Sequence, residues 1–389
     1  MAILSIMNRI QLPQTPDQTR PSILDFNPEQ WKVWLAERNQ PAMRARQIRR
    51  WLIVSRATSV DQMTDLPLVL REQLNQEMVP FSTRIERHLR SIDGTEKLLL
   101  QLKDGHRIEC VLLKEEDRRT VCISTQVGCG MGCVFCASGL EGVVRNLTSG
   151  EILEQLIQAR NLLPETERLT HIVVMGMGEP LANLENLFDA LAVASSPEGL
   201  GLSQRNITVS TVGLPAKIRR FAELGKKYHL AVSLHAPNEA VRHQIVPTSK
   251  TIPLASILEA ADDFYARTGR QVTYEYVLLK GINDRREHAV ELARLLHGRQ
   301  AHINLIPFNP VPGLPYQRIS QQDLDQFLGI LRKGGMTVHT RKRKGADIEA
   351  ACGQLRRQTI KGMAEETTSP LNRMENRDSQ ASPSGDMGN

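Results

Sequence analysis

The stretch Val121-Cys-Ile-Ser-Thr-Gln-Val-Gly-Cys129-Gly-Met-Gly-Cys133-Val-Phe-Cys136 runs from a β-prone segment straight into three cysteines spaced C-x3-C-x2-C. A strand that empties into a loop of sulfur ligands is the arrangement by which a parallel sheet builds a site, because the loops after its strands gather at one mouth. Three thiolates on one short loop can hold three irons of a cubane cluster and leave the fourth iron open. Gly128, Gly130 and Gly132 let the backbone wrap close to such a group. The competing reading is structural zinc, which wants a closed set of four ligands, the fourth coming from Cys110, Cys122, Cys352 or a histidine. The spacing differs from the paired C-x2-C of zinc ribbons.

Downstream of this stretch, short runs rich in Val, Ile, Leu and Thr recur at 121–125, 171–175, 207–211, 230–235, 272–279 and 303–306, with amphipathic segments between them. Thr148 and Glu151 form a capping box ahead of Ile152, Leu153 and Leu156. This alternation predicts an α/β fold: six βα units in a parallel sheet curled into a partial (β/α)6 barrel, with a seventh strand at 336–340. Upstream, 97–103 and 107–113 read as strands. From Asn27 to Glu77 the spacing of Trp31, Trp34 and Leu35, and of Ile48, Trp51 and Leu52, predicts a small helical domain whose second helix Pro41 opens. The first residues are polar, and the tail from about Thr367 is rich in Ser, Pro, Asn and Gly, the composition of a disordered segment.

No run of apolar residues is long enough to span a bilayer, and the N-terminus lacks a signal-peptide pattern, so a cytoplasmic protein with no membrane partner is expected. The net charge is +6; residues 361–389 carry three basic and five acidic side chains, so the remainder carries +8. That excess suits a polyanion. Arg44, Arg46, Arg49 and Arg50 crowd one helical segment beside Trp51, and Arg341 to Lys344 crowd another near Cys352. Either patch can grip phosphates or be a solvated face.

The first barrel mouth collects further polar residues. Gly176-Met-Gly-Glu-Pro180, with Gly178 and Glu179, ends the second strand. Ser210 ends the third, Ser233-Leu234-His235 ends the fourth, and Asn309 lies beyond the sixth. Turn chemistry and capping are the plain alternative for each. Cys110, Cys122 and Cys352 lie outside the cysteine loop, where a lone cysteine is ordinarily a small buried hydrophobe. Glu109 alternates with Ile108 and Cys110, which allows it to face solvent.

The C-x3-C-x2-C loop with Phe135 before its last cysteine resembles the radical S-adenosylmethionine (SAM) superfamily. Segments 121–136, 176–183, 233–237, 276–284, 304–312 and 347–354, with the arginine-rich 44–51, resemble its RlmN/Cfr family of RNA methyltransferases, most closely the RlmN branch. The resemblance implies one 4Fe–4S cluster on Cys129, Cys133 and Cys136, and SAM held by Gly178, Glu179, Ser210, Ser233, Leu234, His235 and Asn309. It implies two SAM per turnover: one methylates Cys352, the other generates the radical that activates that methyl group for addition to adenine. Glu109 is then the proton acceptor, and Cys122 releases the product by forming a disulfide with Cys352. Cys110 is left structural. The implied substrates are C2 of adenosine 2503 in 23S rRNA and adenosine 37 in tRNA. Electrons come from a donor such as flavodoxin or ferredoxin, and the enzyme is a monomer.

The resulting organisation is 1–20 flexible N-terminus, 21–80 helical RNA-binding accessory domain, 81–114 β linker region, 115–345 radical SAM barrel, 346–360 methyl-accepting segment and 361–389 disordered tail. Adenine C8 methylation of the Cfr type, and a zinc-stabilised RNA-binding protein without catalysis, are the alternatives.

Overall fold

A computed structural model of the protein describes residues 20–356. Residues 1–19 of the flexible segment expected over 1–20, the end of the Cys352 segment from 357 and the disordered tail expected over 361–389 lie outside the described residues.

Three helices open the described chain: α1 (Pro28–Ala36), α2 (Arg44–Ile53) and α3 (Leu68–Glu77). Asn27 caps α1 through a capping box with Gln30. Pro41 does not open α2 as expected. Its carbonyl instead accepts from Arg44 N at 3.0 Å, making a turn ahead of a helix that starts at Arg44. Trp31 is buried at 1 % exposure and meets Trp34 edge-on at 5.6 Å.

Strands β1 (Arg84–Arg90), β2 (Glu96–Gln101) and β3 (Arg107–Lys114) form an antiparallel meander. They do not stand apart as a linker. β3 pairs antiparallel with β4 (Arg119–Cys122), the first strand of the barrel, with Val111 opposite Cys122, so the meander continues the barrel sheet. A small hairpin of β5 (Gln126–Gly128) and β6 (Val143–Asn146) brackets the cysteine loop.

The βα units follow in chain order: α4 (Ser149–Asn161), β7 (His171–Val174), α5 (Leu184–Ser195), β8 (Ile207–Thr211), α6 (Pro215–Glu223) and β9 (His229–Ser233). Then come α7 (Glu239–Ile245), α8 (Leu254–Thr268), β10 (Val272–Leu278), α9 (Arg286–Leu296), β11 (Ala301–Pro307), α10 (Gln321–Lys333) and β12 (Thr337–Thr340). The sheet order is β1-β2-β3-β4-β7-β8-β9-β10-β11-β12, and every pairing from β4 to β12 is parallel. All six predicted barrel strands and the seventh are present, with no end moved by more than three residues. Parallel strands are covered on one face by helices and on the other by the barrel interior, which is why they read as nearly continuous apolar runs.

The helical domain is joined to the barrel through a buried carboxylate. Glu154 of α4 accepts from Ser22 Oγ at 2.9 Å, Ser82 N at 2.9 Å and Thr83 N at 2.7 Å. Arg160, on the same helix, donates to the carbonyls of Leu52 and Ile53 at the end of α2. Leaving such a buried charge unpaired costs about 3–5 kcal/mol, so these contacts fix where the helical domain sits.

Candidate active site

The carboxyl ends of the strands enclose a cavity of about 140 Å³ lined by Cys129, Cys133 and Cys136. Gly178, Glu179, Ser210, Ser233, His235 and Asn309 line it too, as the sequence predicted, and so does Cys352. Leu234 does not. Its side chain is fully buried in the main hydrophobic core, and its carbonyl is held by Arg242.

Glu179, His235 and Asn309 are each tied to backbone. The Glu179 carboxylate accepts from Leu181 N at 3.0 Å and from Val212 N at 2.8 Å, which ties the second and third strand loops together. Burial raises its proton affinity. Each oxygen keeps a lone pair for a further donor. Gly178 adopts φ +105°, and a Cβ there would come within 2.7 Å of the Gln126 side chain, so only glycine admits this approach. Ser210 Oγ and Ser233 Oγ stand 3.3 Å apart. His235 has φ 59°; its Nδ1 accepts from Val277 N at 3.1 Å, and burial, then Arg242, depress its pKa to about 3. The ring is therefore neutral, with its N–H on Nε2. Asn309 Nδ2 donates to Cys352 O at 3.0 Å and so holds the cysteine-bearing segment.

The three cysteines fit a multi-iron cluster better than zinc. Among the described residues no three His, Cys, Asp or Glu groups converge closely enough to hold a single ion. A zinc site needs four ligands at about 2.0–2.3 Å from one point. Instead the thiols surround one side of a cavity, and the loop is shaped by close backbone contact: a Cβ on Gly128 would lie 2.0 Å from Gly142 O. Burial pushes the Cys129 thiol up to about 12, a cost that bonding to iron removes.

A second cavity, of about 510 Å³, lies on the other side of Cys352. Met175, Ile306, Asn309, Arg341 and Cys352 line both. Cys122 lines only the second. Arg341 reaches into this shared wall, with Nη1 3.4 Å from Cys352 Sγ and 3.1 Å from Met175 Sδ. The Cys352 sulfur first, then Glu275 and Cys122, raise its affinity for its proton against the opposing effect of burial. Cys122 is buried, and burial first and Cys352 next push its thiol up to about 12. Both cysteines are free thiols here, so the disulfide implied by the resemblance is not a resident crosslink.

Glu109 neither faces solvent nor lines either cavity. It is fully buried, with Oε1 3.1 Å from Lys97 Nζ and Oε2 accepting from Arg356 N at 2.9 Å. Cys110 is fully buried in the core, as a structural cysteine should be. The arginines of α2 are partly committed: Arg49 donates to Phe26 O at 3.3 Å, and Arg46 pairs with Glu198. Trp51 Nε1 donates to Asp65 at 2.6 Å.

Sequence reasoning missed Glu275 and Arg242. Glu275 lies in β10, 3 % exposed, lining the first cavity; Oε1 accepts from Asn304 and Oε2 has no partner. An acid inside a parallel strand that has no solvent face had to look into the barrel, and Val272–Leu278 carried that signal. Arg242, 1 % exposed, donates to Ser233 O at 3.1 Å and Val212 O at 2.6 Å and also holds Leu234 O, bracing two site loops at once. Nothing in its local sequence announces that role.

Residues 123–293 match the Radical SAM superfamily, and residues 22–79 match the Ribosomal RNA large subunit methyltransferase N-terminal domain. A probable dual-specificity RNA methyltransferase RlmN of Rhodopirellula baltica is 53 % identical over 335 residues, 86 % of this chain and 90 % of that one. Its counterpart in Bacillus subtilis is 41 % identical over 351 residues, 90 % of this chain and 97 % of that one. A crystal structure of a radical SAM methyltransferase from Sphaerobacter thermophilus superposes with a TM-score of 0.84 at 42 % identity, covering 86 % of this chain and 99 % of that one. With that barrel, cysteine loop and helical domain, and with relatives matched over nearly their whole length, the chain belongs to the RlmN family of radical SAM RNA methyltransferases.

Proposed function

We propose that the protein methylates C2 of adenine in RNA by way of a methyl group carried on Cys352, the substrates being adenosine 2503 of 23S rRNA and adenosine 37 of tRNA. The observation that carries this reading is the position of Cys352 in the wall between the two cavities. On one side it meets the cluster cysteines and the SAM-binding residues; on the other it meets Cys122. Adenine C2 is not nucleophilic, so SAM cannot methylate it by simple displacement, and a carrier thiol answers that difficulty.

Cys129, Cys133 and Cys136 would hold the cluster, which when bound would supply the electron for reductive cleavage of SAM and so the means of taking hydrogen from a methyl group. The side chains do the rest. Cys352 sulfur takes a methyl group from a first SAM and loses its proton, with Arg341 stabilising the thiolate. After hydrogen is removed, the methylene on Cys352 bonds to C2, and the adduct gives up the C2 proton and one electron, for which the oxidised cluster would be the acceptor. Glu109 accepts that proton. It stands one alternation along β3 from Val111, which lines the second cavity, and the segment bearing Cys352 covers it through Arg356. That segment must shift for Glu109 to reach the base. Cys122 sulfur then attacks Cys352 sulfur. The carbon–sulfur bond breaks, its electron pair stays on the carbon, which takes a proton to become methyl, and a disulfide remains. An external reductant restores both thiols, and a flavodoxin- or ferredoxin-like donor feeds the cluster. Two SAM are used per turnover.

The helical domain, 21–80, is an RNA-binding accessory module, with 115–345 as the catalytic core and 346–360 as the carrier segment. The enzyme acts as a monomer. No helix among the described residues is long and apolar enough to cross a membrane.

The test uses Cys352→Ala and Cys122→Ala with labelled SAM and RNA on denaturing gels. Cys352→Ala should form neither product nor adduct. Cys122→Ala should stall as a protein–RNA crosslink that nuclease removes. Product from Cys352→Ala would refute the carrier. Chromatography of digested wild-type product decides C2 against C8.

A further inference from the structure

Among the described residues Lys97 is the one buried lysine, 4 % exposed. An ammonium is held inside a protein only where opposite charge and hydrogen bonds answer it. Lys97 lies in β2 directly across from Val111 of β3, and Val111 stands across from Cys122 of β4. Residues opposite one another in a sheet share a face. Lys97, Val111 and Cys122 therefore form one row, and Glu109 follows two residues along β3 on the same face. Lys97 stands on the Val111 side of Glu109, and Val111 lines the second cavity.

The pair of Lys97 and Glu109 grips the carrier segment at both of its feet. Lys97 Nζ donates to Glu349 O at 3.2 Å, Glu109 Oε2 accepts from Arg356 N at 2.9 Å, and Cys352 lies between these two contacts in the chain. Nearer the tip, Asn309 and Ala137 hold the carbonyls of Cys352 and Gly353 independently of the pair. Glu109 Oε1 is 3.1 Å from Lys97 Nζ, yet takes no aligned hydrogen bond among the described residues. It meets the ammonium as a charge and keeps a lone pair open for a proton.

These contacts have different fates when the segment shifts off Glu109. Glu349 O and Arg356 N leave with it. Lys97 stays, because its backbone is paired on one side with Leu89 of β1 and on the other with Val111 of β3. The backbone of Glu109 stays too, fixed by Ser124 Oγ, which donates to Glu109 O at 2.6 Å. The ammonium, freed from Glu349 O, then has Glu109 as its partner. Burial raises the proton affinity of Glu109, and the charge of Lys97 is the first force against it. Without that charge the balance moves further towards a protonated carboxyl, which cannot accept a second proton.

We infer that Lys97 is the positioning residue of the proton-accepting step: anchored in the sheet, it remains beside Glu109 when the carrier segment moves and draws its carboxylate towards the second cavity. The inference rests on the reading of Glu109 as the proton acceptor. The bond between C2 and its hydrogen breaks with the electron pair left in the ring, the proton passes to Glu109, and Lys97 keeps its own protons throughout.

The test divides the reaction in two. Cluster-loaded full-length protein already methylated on Cys352 is given target RNA and SAM in a single turnover. Lys97→Met should slow product formation by about a hundredfold, the low end of what a placed base contributes. Lys97→Gln, which keeps a donor for Glu349 O but not the charge, should be as slow. Lys97→Arg should recover about a tenth of the wild-type rate or more, since the charge returns on a differently shaped group. Methyl transfer from SAM to Cys352 needs no base at Glu109, and the tip of the segment keeps its own contacts, so this half should run near the wild-type rate in all three variants. Iron content, SAM affinity and RNA affinity at wild-type levels show that the variants are folded. Equal slowing of both halves would overturn the inference, leaving Lys97 as a brace for the segment. So would wild-type product formation by Lys97→Met where Glu109→Gln is inactive. A wild-type rate from Glu109→Gln would instead overturn the reading of Glu109, and wild-type protein that never acquires methyl on Cys352 the carrier reading.

Discussion

The first cavity is walled by sulfur, three serines, the Glu179 carboxylate held by backbone amides and Glu275, and the second by cations around a pair of thiols. They share Met175, Ile306, Asn309, Arg341 and Cys352. The difference separates two tasks that have opposite needs. Radical chemistry needs a small site whose groups cannot move, and the first cavity gets this from Glu179 and Arg242, each tying backbone from two loops. The wide, cation-lined second cavity has the sign that a polyanion requires. Cys352 stands in the partition, on a segment strapped by Ala137 N to Gly353 O at 2.8 Å and Gln354 Nε2 to Pro310 O at 2.7 Å.

The largest effect should come from the first cavity. Cys129→Ala, Cys133→Ala or Cys136→Ala should remove the iron and all turnover while leaving RNA affinity nearly unchanged, as read by iron analysis and RNA titration of anaerobically prepared protein. Stoichiometric zinc without iron in the wild type would break the contrast at its root.

The partition comes next. Arg341→Ala should slow SAM-dependent methylation of Cys352 by about tenfold or more, the loss expected when a charge-assisted contact worth about 1.5–3 kcal/mol is removed. Arg341→Lys should recover part of it, because an ammonium restores the charge but not the fork that spans two sulfurs. Mass spectrometry of the Cys352 peptide follows the rate; an Arg341→Ala rate equal to wild type would mean that the guanidinium only braces the wall.

A smaller change is expected at Asn309 and Glu275. Asn309→Ala should weaken SAM binding several-fold and loosen the Cys352 segment together, since the side chain both lines the cavity and holds Cys352 O. Glu275→Gln keeps the shape but removes the charge next to Arg341, and should weaken SAM binding by a few-fold without loss of iron. SAM titrations unchanged in both variants would take these residues out of the first cavity's function.

The smallest effect serves as a control, because it touches neither cavity. Burial raises the pKa of Glu154 to about 7 in spite of its hydrogen bonds. A carboxyl raised in the folded state keeps its proton where the unfolded chain has lost it. Its contribution to stability is therefore complete below the unfolded value near 4.5 and is lost as pH rises towards 7. The Tm of the wild type should fall by a few degrees between pH 5 and pH 7.5 relative to Glu154→Gln, with both cavities' binding constants unaltered. A pH-independent difference would show that the carboxylate is ionised throughout.

The cysteine loop, the six parallel strands, the capping box at Thr148 and the helical N-terminal segment were legible because each is written in residues close together in the chain. Spacing along a strand or helix fixes which side chains share a face, and a loop of ligands eight residues long can only converge on one place. The resemblance added Cys352, Cys122 and Glu109, which no spacing could connect. Tertiary structure alone decided the rest. Register between β3 and β4 sets Val111 against Cys122, and the path of the chain after β12 carries Arg341 and Cys352 to the same wall. Parallel packing turned Glu275 into the barrel, and Glu109, which alternation alone left free to face solvent, is buried beneath Arg356. Arg118 and Arg205 line the same cavity because β4 and β8, far apart in sequence, flank β7 in the sheet. Contacts of that kind depend on how elements pair and pack, and the local pattern of a single chain does not encode which distant element will be the neighbour.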